Sequence, residues 1–220
     1  MKPTPSRPRP LDPIRDSYDR LAVPYAAHLA DELAGKPLDR ELLDRFAARV
    51  RSTGGIACDL GCGPGHVARY LHERGAPVCG VDLSPGMLEQ ARRLHPGLDF
   101  FVGDLFALPV ADAAWSGVVA FYSLVHIAPP ERPRALREIL RVLRPGAPLL
   151  AGFHVGDEEL RPGELWGVPI ELTWYFLRTC VLAAELREVG FRVDEIIERD
   201  PYEGAEHPTR RGYVLASRPE

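Results

Sequence analysis

The first fifty residues of the chain carry a helical pattern of hydrophobic and polar positions. After Asp12-Pro13, a typical helix start, apolar side chains recur every three or four residues. Pro24 interrupts this pattern, because proline lacks an N–H group and its ring clashes with the preceding turn, so we expect a break or kink near Val23. A second helix is predicted with Asp39 as its N-cap. Its apolar face consists of Leu42, Leu43, Phe46 and Val50.

From residue 56 the pattern changes to short apolar runs that alternate with amphipathic segments. The runs are bounded by glycine and proline and are typical of buried strands. Predicted strands cover residues 56–60, 77–81, 98–102, 115–122 and 148–155, and predicted helices cover residues 64–74, 84–94 and 131–143. Regular alternation of strand and helix predicts an α/β fold, a parallel sheet with helices on both faces.

The last third of the chain follows a different pattern. Residues 156–174 are predicted to be irregular, and residues 179–189 to form a helix. Residues 191–198 and 212–217 resemble two strands with a polar connection, which should pair antiparallel. We therefore divide the chain into a proline-rich disordered tail (1–11), N-terminal lid helices (12–54) and a main domain (55–220), with residues 12–220 forming one structural domain.

Composition and charge exclude several classes of function. The net charge of −4 gives no basic surface for nucleic acid, and no apolar run is long enough to span a membrane. The four cysteines include no C-x-x-C pair, so neither a zinc site nor a redox dithiol is expected. Without the apolar stretch of a signal peptide, the chain is expected in the cytoplasm.

The candidate chemistry begins at a glycine loop, Asp59-Leu60-Gly61-Cys62-Gly63-Pro64-Gly65, between a predicted strand and a helix. Glycines let the backbone approach a ligand closely, and the helix N-terminus attracts a phosphate or a carboxylate. The dinucleotide pattern G-x-G-x-x-G does not fit, because the third glycine comes one position early and His66 takes its place. The carboxylate of Asp59 repels a pyrophosphate but can pair with an ammonium group.

Five segments in order along the chain resemble the motifs of class I S-adenosylmethionine-dependent methyltransferases. They are Cys58-Asp59-Leu60-Gly61-Cys62-Gly63-Pro64-Gly65, Val81-Asp82-Leu83-Ser84-Pro85-Gly86-Met87-Leu88, Gly103-Asp104-Leu105, Phe121-Tyr122-Ser123-Leu124-Val125-His126 and Leu143-Arg144-Pro145-Gly146. The resemblance covers residues 56–155. It implies a three-layer αβα sandwich around a seven-stranded, mostly parallel sheet of order 3-2-1-4-5-7-6 with strand 7 antiparallel. It also implies S-adenosylmethionine as cofactor and S-adenosylhomocysteine as product.

The resemblance assigns cofactor-binding residues to these motifs. They are Asp59, Gly61, Cys62, Gly63 and Gly65 in the loop, and Asp82, Leu83, Met87, Gly103, Asp104, Leu105 and Phe121 in the later segments. Tyr18 and Tyr25 of the first helix are expected either to close over the cofactor or simply to pack the lid.

Several of these positions have a structural alternative. Asp82 ends the second strand about 20 residues after the loop, where a carboxylate can accept both ribose hydroxyls. It could instead cap the next helix, but Ser84 can supply that cap, so we favour ribose binding. Leu83 and Met87 either sandwich the adenine or belong to the core. Asp104 either accepts from the adenine amino group, as the resemblance implies, or stabilises a turn.

The reacting end of the site is harder to locate from sequence. His126 and His154 follow the fourth and fifth strands and are the candidate general bases, although either can be a structural histidine. Trp174, with its aromatic neighbours, could wall an acceptor pocket or belong to the core. Arg210 and Arg211 could hold an acidic acceptor, but we expect solvated residues between the last two strands.

The sequence therefore predicts methyl transfer to an oxygen or nitrogen atom of a small molecule, with carbon and sulfur also open. No nucleic-acid or membrane partner is expected, and no metal. Two alternative functions are open. One is a binding module of the same fold that has lost catalysis, which the cofactor motifs do not distinguish from an enzyme. The other is a nicotinamide oxidoreductase, which the glycine spacing and the absence of a Tyr-x-x-x-Lys pair disfavour.

Overall fold

The computed structural model describes residues 12–220, so the predicted tail at residues 1–11 lies outside the described residues. The strands are β1 (Ala57–Leu60), β2 (Val78–Asp82), β3 (Asp99–Val102), β4 (Val118–Phe121), β5 (Pro148–His154), β6 (Glu159–Leu160), β7 (Glu164–Leu165), β8 (Val168–Pro169), β9 (Trp174–Tyr175), β10 (Arg192–Arg199) and β11 (Arg211–Ser217). The α-helices are α1 (Asp12–Leu29), α2 (Pro37–Thr53), α3 (His66–Glu73), α4 (Pro85–Leu94), α5 (Arg132–Val142) and α6 (Thr179–Val189). Three short 3₁₀ turns lie at Glu32–Gly35, Leu124–His126 and Pro129–Glu131.

Seven of these strands form one sheet, in the order β3-β2-β1-β4-β5-β11-β10. Strands β1 to β5 are parallel, whereas β11 runs antiparallel to both β5 and β10. The predicted order and the antiparallel last strand are confirmed. Because β1 pairs with β2 on one side and β4 on the other, the chain reverses its winding there, and a crevice opens beyond the carboxyl ends of these strands.

Helices cover both faces of the sheet, as alternation of side chains along the buried strands requires. Val118 of β4 joins a cluster with Leu136 of α5 and Leu182 of α6. The next residue, Val119, points to the other face and packs with Phe46 of α2 and Leu71 of α3. The three-layer architecture is therefore confirmed, and α2 belongs to a covering layer. Of the two predicted lid helices, only α1 lies over the edge of the sheet.

Helix α1 packs against α4 and the 156–175 insertion. Leu21 and Ala22 form a third apolar cluster with Met87 of α4 and with Ile170. The helix continues through Pro24, so the expected break near Val23 is wrong. Buried side chains on both sides of the proline hold the segment in place, which offsets the loss of one backbone hydrogen bond.

The 156–175 insertion is more ordered than its sequence indicates. Strand β6 pairs with β9, and β7 pairs with β8, each as a two-stranded antiparallel ribbon. The irregular structure predicted for residues 156–174 is therefore wrong in part. The ribbons contact α1 and the turn after β4 rather than the main core. The segment therefore has few apolar residues in alternation, and its sequence pattern does not predict strands.

Two charged residues have roles that the sequence did not show. Asp39 does not cap α2, which begins at Pro37; it is buried in the first turn. Its Oδ2 accepts hydrogen bonds from Arg199 at 2.7 Å and from the Tyr213 hydroxyl at 2.8 Å. Arg211 is also buried and ion-paired, to Glu206 at 3.2 Å, so the expected solvation of this residue is wrong.

The buried Asp39 carboxylate should matter far more to stability than an exposed ion pair. We expect Asp39→Ala to lower the free energy of unfolding by about 3 kcal/mol, because Arg199 and Tyr213 lose a buried acceptor. Removal of the exposed Glu195, which pairs with Arg45, should cost less than about 1 kcal/mol. Urea unfolding of both variants measures the difference, and equal losses would contradict this account.

Candidate cofactor and acceptor site

A cavity lies beyond the carboxyl ends of β1, β2 and β4, with about 720 Å³ of empty space that includes its opening to solvent. Its lining includes many residues predicted from sequence: Tyr18, Tyr25, Gly61, Gly63, Asp82, Leu83, Met87, Asp104, Leu105, Phe121 and His126. The structure therefore brings residues from α1, the glycine loop, the end of β2, the Asp104 turn and the end of β4 into one place.

The glycine loop has a backbone that other residues adopt only with strain. Gly61, Gly63 and Gly65 have φ angles of 75°, 51° and 82°. A Cβ atom on Gly61 would stand 2.4 Å from the Cβ of Ser123, on the turn after β4. Gly65 is the N-cap residue of α3, which explains why the helix begins two residues later than predicted. The loop thus forms a narrow floor for the cavity.

Asp82 links this loop to the end of β2. One carboxylate oxygen accepts from the Gly63 N–H and the other from the Ser84 N–H, each at 2.8 Å. Burial raises the pKa of Asp82, and these N–H groups oppose the shift. Ser84 itself caps α4, because its Oγ accepts from the Met87 N–H at 3.0 Å. The alternative that Asp82 serves as the N-cap of α4 is therefore not needed.

The apolar part of the cavity lies between α4 and the Asp104 turn. Leu83, Met87 and Leu105 contribute side chains to it. One oxygen of Asp104 accepts from the Phe106 N–H at 3.1 Å, so the residue stabilises its turn and also faces the cavity. A flat apolar ring with a polar edge would match this combination of surfaces.

Four of the predicted loop and turn residues do not line the cavity: Asp59, Cys62, Gly65 and Gly103. The Asp59 carboxylate instead accepts from the Ala68 N–H of α3 at 3.0 Å, and burial raises its pKa to about 7. Gly103 leaves room for the side chains of Val81 and Pro109. These residues stabilise the glycine loop and the Asp104 turn without lining the cavity.

The two candidate histidines have different positions. His126 lines the cavity, and its Nε2 lies 2.7 Å from the Tyr18 hydroxyl. Burial lowers the pKa of His126 to about 4. His154 lies outside the lining, where its Nδ1 is 2.7 Å from the Thr209 hydroxyl and its ring stacks on Phe176. Burial and the nearby Arg211 guanidinium lower its pKa to about 3.

Sequence reasoning missed five residues of the lining: Ile14, Phe106, Tyr122, Ser123 and Ile127. Tyr122 has a φ of 56°, which is uncommon for a bulky residue, and its hydroxyl accepts from Arg211 Nε at 3.0 Å. The Ser123 hydroxyl is buried without a hydrogen-bond partner. Both residues stand in the motif after β4, so the signal was present, but their side chains were not singled out.

Helix α1 is fixed over the cavity by hydrogen bonds at both of its sides. Asp19 accepts from the Ser84 hydroxyl at 2.5 Å and from the Gly86 N–H at 2.8 Å, next to Asp82. On the other side, the Ser17 hydroxyl accepts from the Glu171 N–H at 2.9 Å. These contacts hold Tyr18 and Tyr25 against the cavity.

Comparison with known proteins supports the resemblance. Residues 57–146 match the family described as a methyltransferase domain. This segment is therefore a methyltransferase domain, and the sheet that it helps to build has the strand order of the class I, Rossmann-like fold. The resemblance seen in the motifs is thereby confirmed for these residues. Within residues 12–220, no cluster of side chains could hold a metal ion, and no helix is long and apolar enough to cross a membrane.

Among curated relatives, the chain is 32% identical over 154 residues to a malonyl-[acyl-carrier protein] O-methyltransferase of Serratia marcescens. That match covers 70% of this chain and 57% of the relative. The methyltransferase domain here thus spans little more than half of the relative's length.

Two solved structures show the same fold along nearly the whole chain. The S-adenosylhomocysteine complex of DhpI has a TM-score of 0.70 at 20% identity and covers 93% of this chain and 94% of its own. The [4+2]-cyclase SpnF has a TM-score of 0.68 at 22% identity, with coverages of 94% and 96%. At these identities the likeness shows the fold alone.

The residues present fit S-adenosylmethionine on structural grounds. The cavity has a glycine floor that a Cβ atom would fill, and the unpartnered Ser123 hydroxyl lies beside it. It also has a half-buried carboxylate, Asp82, next to apolar surface. A ligand with hydroxyls, an aromatic base and a charged tail satisfies each of these groups.

The close contact between Gly61 and Ser123 gives a direct test of the loop. We expect Gly61→Ala to weaken S-adenosylhomocysteine binding at least tenfold, because the added Cβ is strained at this φ and collides with Ser123. Gly97→Ala is the matched control, since a Cβ there meets no atom within 4 Å. Calorimetry measures both affinities, and tight binding by Gly61→Ala would show that the loop is not the floor of the site.

Proposed function

We propose that this chain is an S-adenosylmethionine-dependent methyltransferase that methylates an oxygen or nitrogen atom of a small molecule. The observation that carries the proposal is the position of Asp82. Its half-buried carboxylate lies between the glycine loop and the apolar wall of one cavity, where it can accept two neighbouring hydroxyls. The matching family and the O-methyltransferase name of the Serratia relative support the same reading.

In this proposal each part of the cavity holds one part of the cofactor. Asp82 accepts from the ribose hydroxyls, and Leu83 and Met87 pack on the adenine, with Asp104 at its polar edge. The loop at Gly61 and Gly63 leaves room for the amino-acid tail. Asp59, Cys62, Gly65 and Gly103 act indirectly, by holding the loop and the turn in shape. When bound, the cofactor supplies an electrophilic methyl group.

The acceptor side is formed by α1 and the end of β4. Tyr18, Tyr25 and Tyr122 enclose this part of the cavity, which favours a small acceptor over a polymer. Orientation of the reactants alone can lower the barrier of such a reaction by about 7–11 kcal/mol. The residues that enclose the acceptor therefore contribute to catalysis by orienting it. His126 lines this region and remains our candidate base. His154 reaches the cavity only through the Tyr122 ring, 5.0 Å away, so we assign it a supporting role.

The second candidate function is cofactor binding without methyl transfer, because the same fold also supports other chemistry. SpnF shares the fold and is named as a [4+2]-cyclase, so the architecture alone does not establish methyl transfer. A cofactor-binding protein without methyltransferase activity would bind S-adenosylhomocysteine but form no methylated product. Mass detection of a 14-dalton gain across a panel of small alcohols, phenols, carboxylic acids and amines separates these two functions.

Cofactor identity can be measured before any acceptor is known. We expect calorimetry to show binding of S-adenosylhomocysteine and none of NADH, because the third glycine comes one position early and His66 stands where the dinucleotide pattern requires glycine. Binding of NADH without S-adenosylhomocysteine would exclude the proposal.

The assignment of Asp82 to the ribose predicts a specific loss of cofactor affinity. We expect Asp82→Ala to weaken S-adenosylhomocysteine binding by about ten- to a hundredfold, since hydrogen bonds to a charged acceptor contribute about 1.5–3 kcal/mol. Asp99→Ala, at the start of β3, removes a carboxylate that is not part of the cavity lining and should bind normally. Circular dichroism checks that both variants are folded. Equal affinity of Asp82→Ala and wild type would mean that the ribose lies elsewhere.

A further inference from the structure

A hydrogen bond between Tyr18 and His126 joins the lid helix α1 to the turn after β4. The Tyr18 hydroxyl lies 2.7 Å from Nε2 of His126, and the two rings meet edge to face with centroids 5.2 Å apart. Both residues line the cavity. Because they are 108 positions apart in the chain, the pair exists only while α1 lies over the cavity.

The neighbours of the pair determine which atom carries the proton. Burial raises the pKa of Tyr18, and a contact between its hydroxyl and the indole of Trp174, which can only donate, opposes that rise. The Thr173 backbone raises the pKa of His126, as a nearby carbonyl does when it favours a proton on the nitrogen that faces it. With the imidazole proton on the nitrogen away from Tyr18, Nε2 accepts from the Tyr18 O–H. Burial keeps the imidazole neutral, with a pKa of about 4, so Nε2 has a free lone pair at neutral pH.

The Tyr18 oxygen has one more place for a hydrogen bond. A phenolic oxygen donates one bond and accepts two, and Trp174 occupies one of the two acceptor positions. The remaining position is available on a residue that faces the cavity. A hydroxyl group bound there can donate its proton to Tyr18 while Tyr18 donates to His126. Two titratable groups besides His126 act on Tyr18, namely Tyr25 and Asp82. On His126 the Thr173 backbone acts, which carries no charge.

Resting on the proposed function above, we propose that Tyr18 and His126 form a proton relay and that the methyl acceptor is an alcohol or a phenol. As the acceptor oxygen bonds to the methyl carbon, the carbon–sulfur bond breaks and its electron pair stays on sulfur. The acceptor proton passes to the Tyr18 oxygen, and the Tyr18 proton passes to Nε2. The positive charge of the sulfonium is thereby replaced by that of the imidazolium, which returns its proton to water once the product has left.

The relay requires His126 to lie close to the reacting sulfur, and this can be measured without an acceptor. Nitrogen NMR of the histidine rings should give His126 a pKa about one unit lower in the S-adenosylmethionine complex than in the S-adenosylhomocysteine complex. The reason is that a positive charge a few ångströms away disfavours a second one. A histidine with a purely structural role, away from the sulfur, would titrate alike in both complexes, and that result would overturn the relay.

Kinetics of Tyr18→Phe provides the second measurement, because phenylalanine keeps the ring packing and removes only the hydroxyl. With the alcohols and phenols of the acceptor panel, we expect kcat to fall by about 10²–10⁴ while the Kd for S-adenosylhomocysteine changes less than threefold. Tyr70→Phe is the matched control, since the Tyr70 hydroxyl bonds to Asp44 of α2 and Tyr70 is not part of the cavity lining, so kcat should stay unchanged.

The outcomes separate the relay from the function on which it rests. If Tyr18→Phe had the same kcat as the wild type, or if the chain methylated amines alone, the relay would be overturned and methyl transfer would stand. Failure of the wild-type chain to bind S-adenosylhomocysteine would overturn the proposed function itself.

Discussion

The site depends on one half-buried carboxylate, that of Asp82. It holds the Gly63 N–H with one oxygen and the Ser84 N–H with the other, and so joins the glycine loop to the end of β2. A buried charge is stable only when it is hydrogen-bonded, and these two backbone groups supply that stabilisation. The arrangement leaves the carboxylate at the cavity wall, where a ligand's hydroxyls can add to the same set of bonds.

The position of the lid helix α1 depends on the same segment, the end of β2 and the start of α4. Asp19 of α1 accepts from the Ser84 hydroxyl and from the Gly86 N–H. Both groups follow Asp82 directly, at the start of α4. This contact places Tyr18 within hydrogen-bond distance of His126 across the cavity. The loop, the end of β2 and the lid are thus a connected set, and a change in one of them is expected to affect the other two.

The parts of this structure that sequence predicted correctly have local causes. Buried strands produce short apolar runs, and the loop at Gly61 requires glycine because its φ is positive. The parts that sequence reasoning missed depend on distant partners. Asp39 resembles a helix cap until it meets Tyr213, 174 positions away, and Arg211 resembles an exposed residue until it meets Tyr122, 89 positions away.

The same reason explains why the cofactor side was easier to predict than the acceptor side. The cofactor side is built from consecutive residues that follow strands, whereas the acceptor side is assembled from α1, the insertion and the turn after β4. Pro24 illustrates the difficulty: a rule of local backbone geometry indicated a break, but packing of Leu21 and Ala26 keeps α1 continuous over the cavity.

The central claim is that this cavity binds the cofactor through Asp82, and a crystal structure of the S-adenosylhomocysteine complex tests it most directly. The account predicts both ribose hydroxyls within hydrogen-bond distance of the Asp82 carboxylate, with the adenine between Leu83 and the Asp104 turn. A cofactor bound outside this cavity, or a ribose without contact to Asp82, would contradict it.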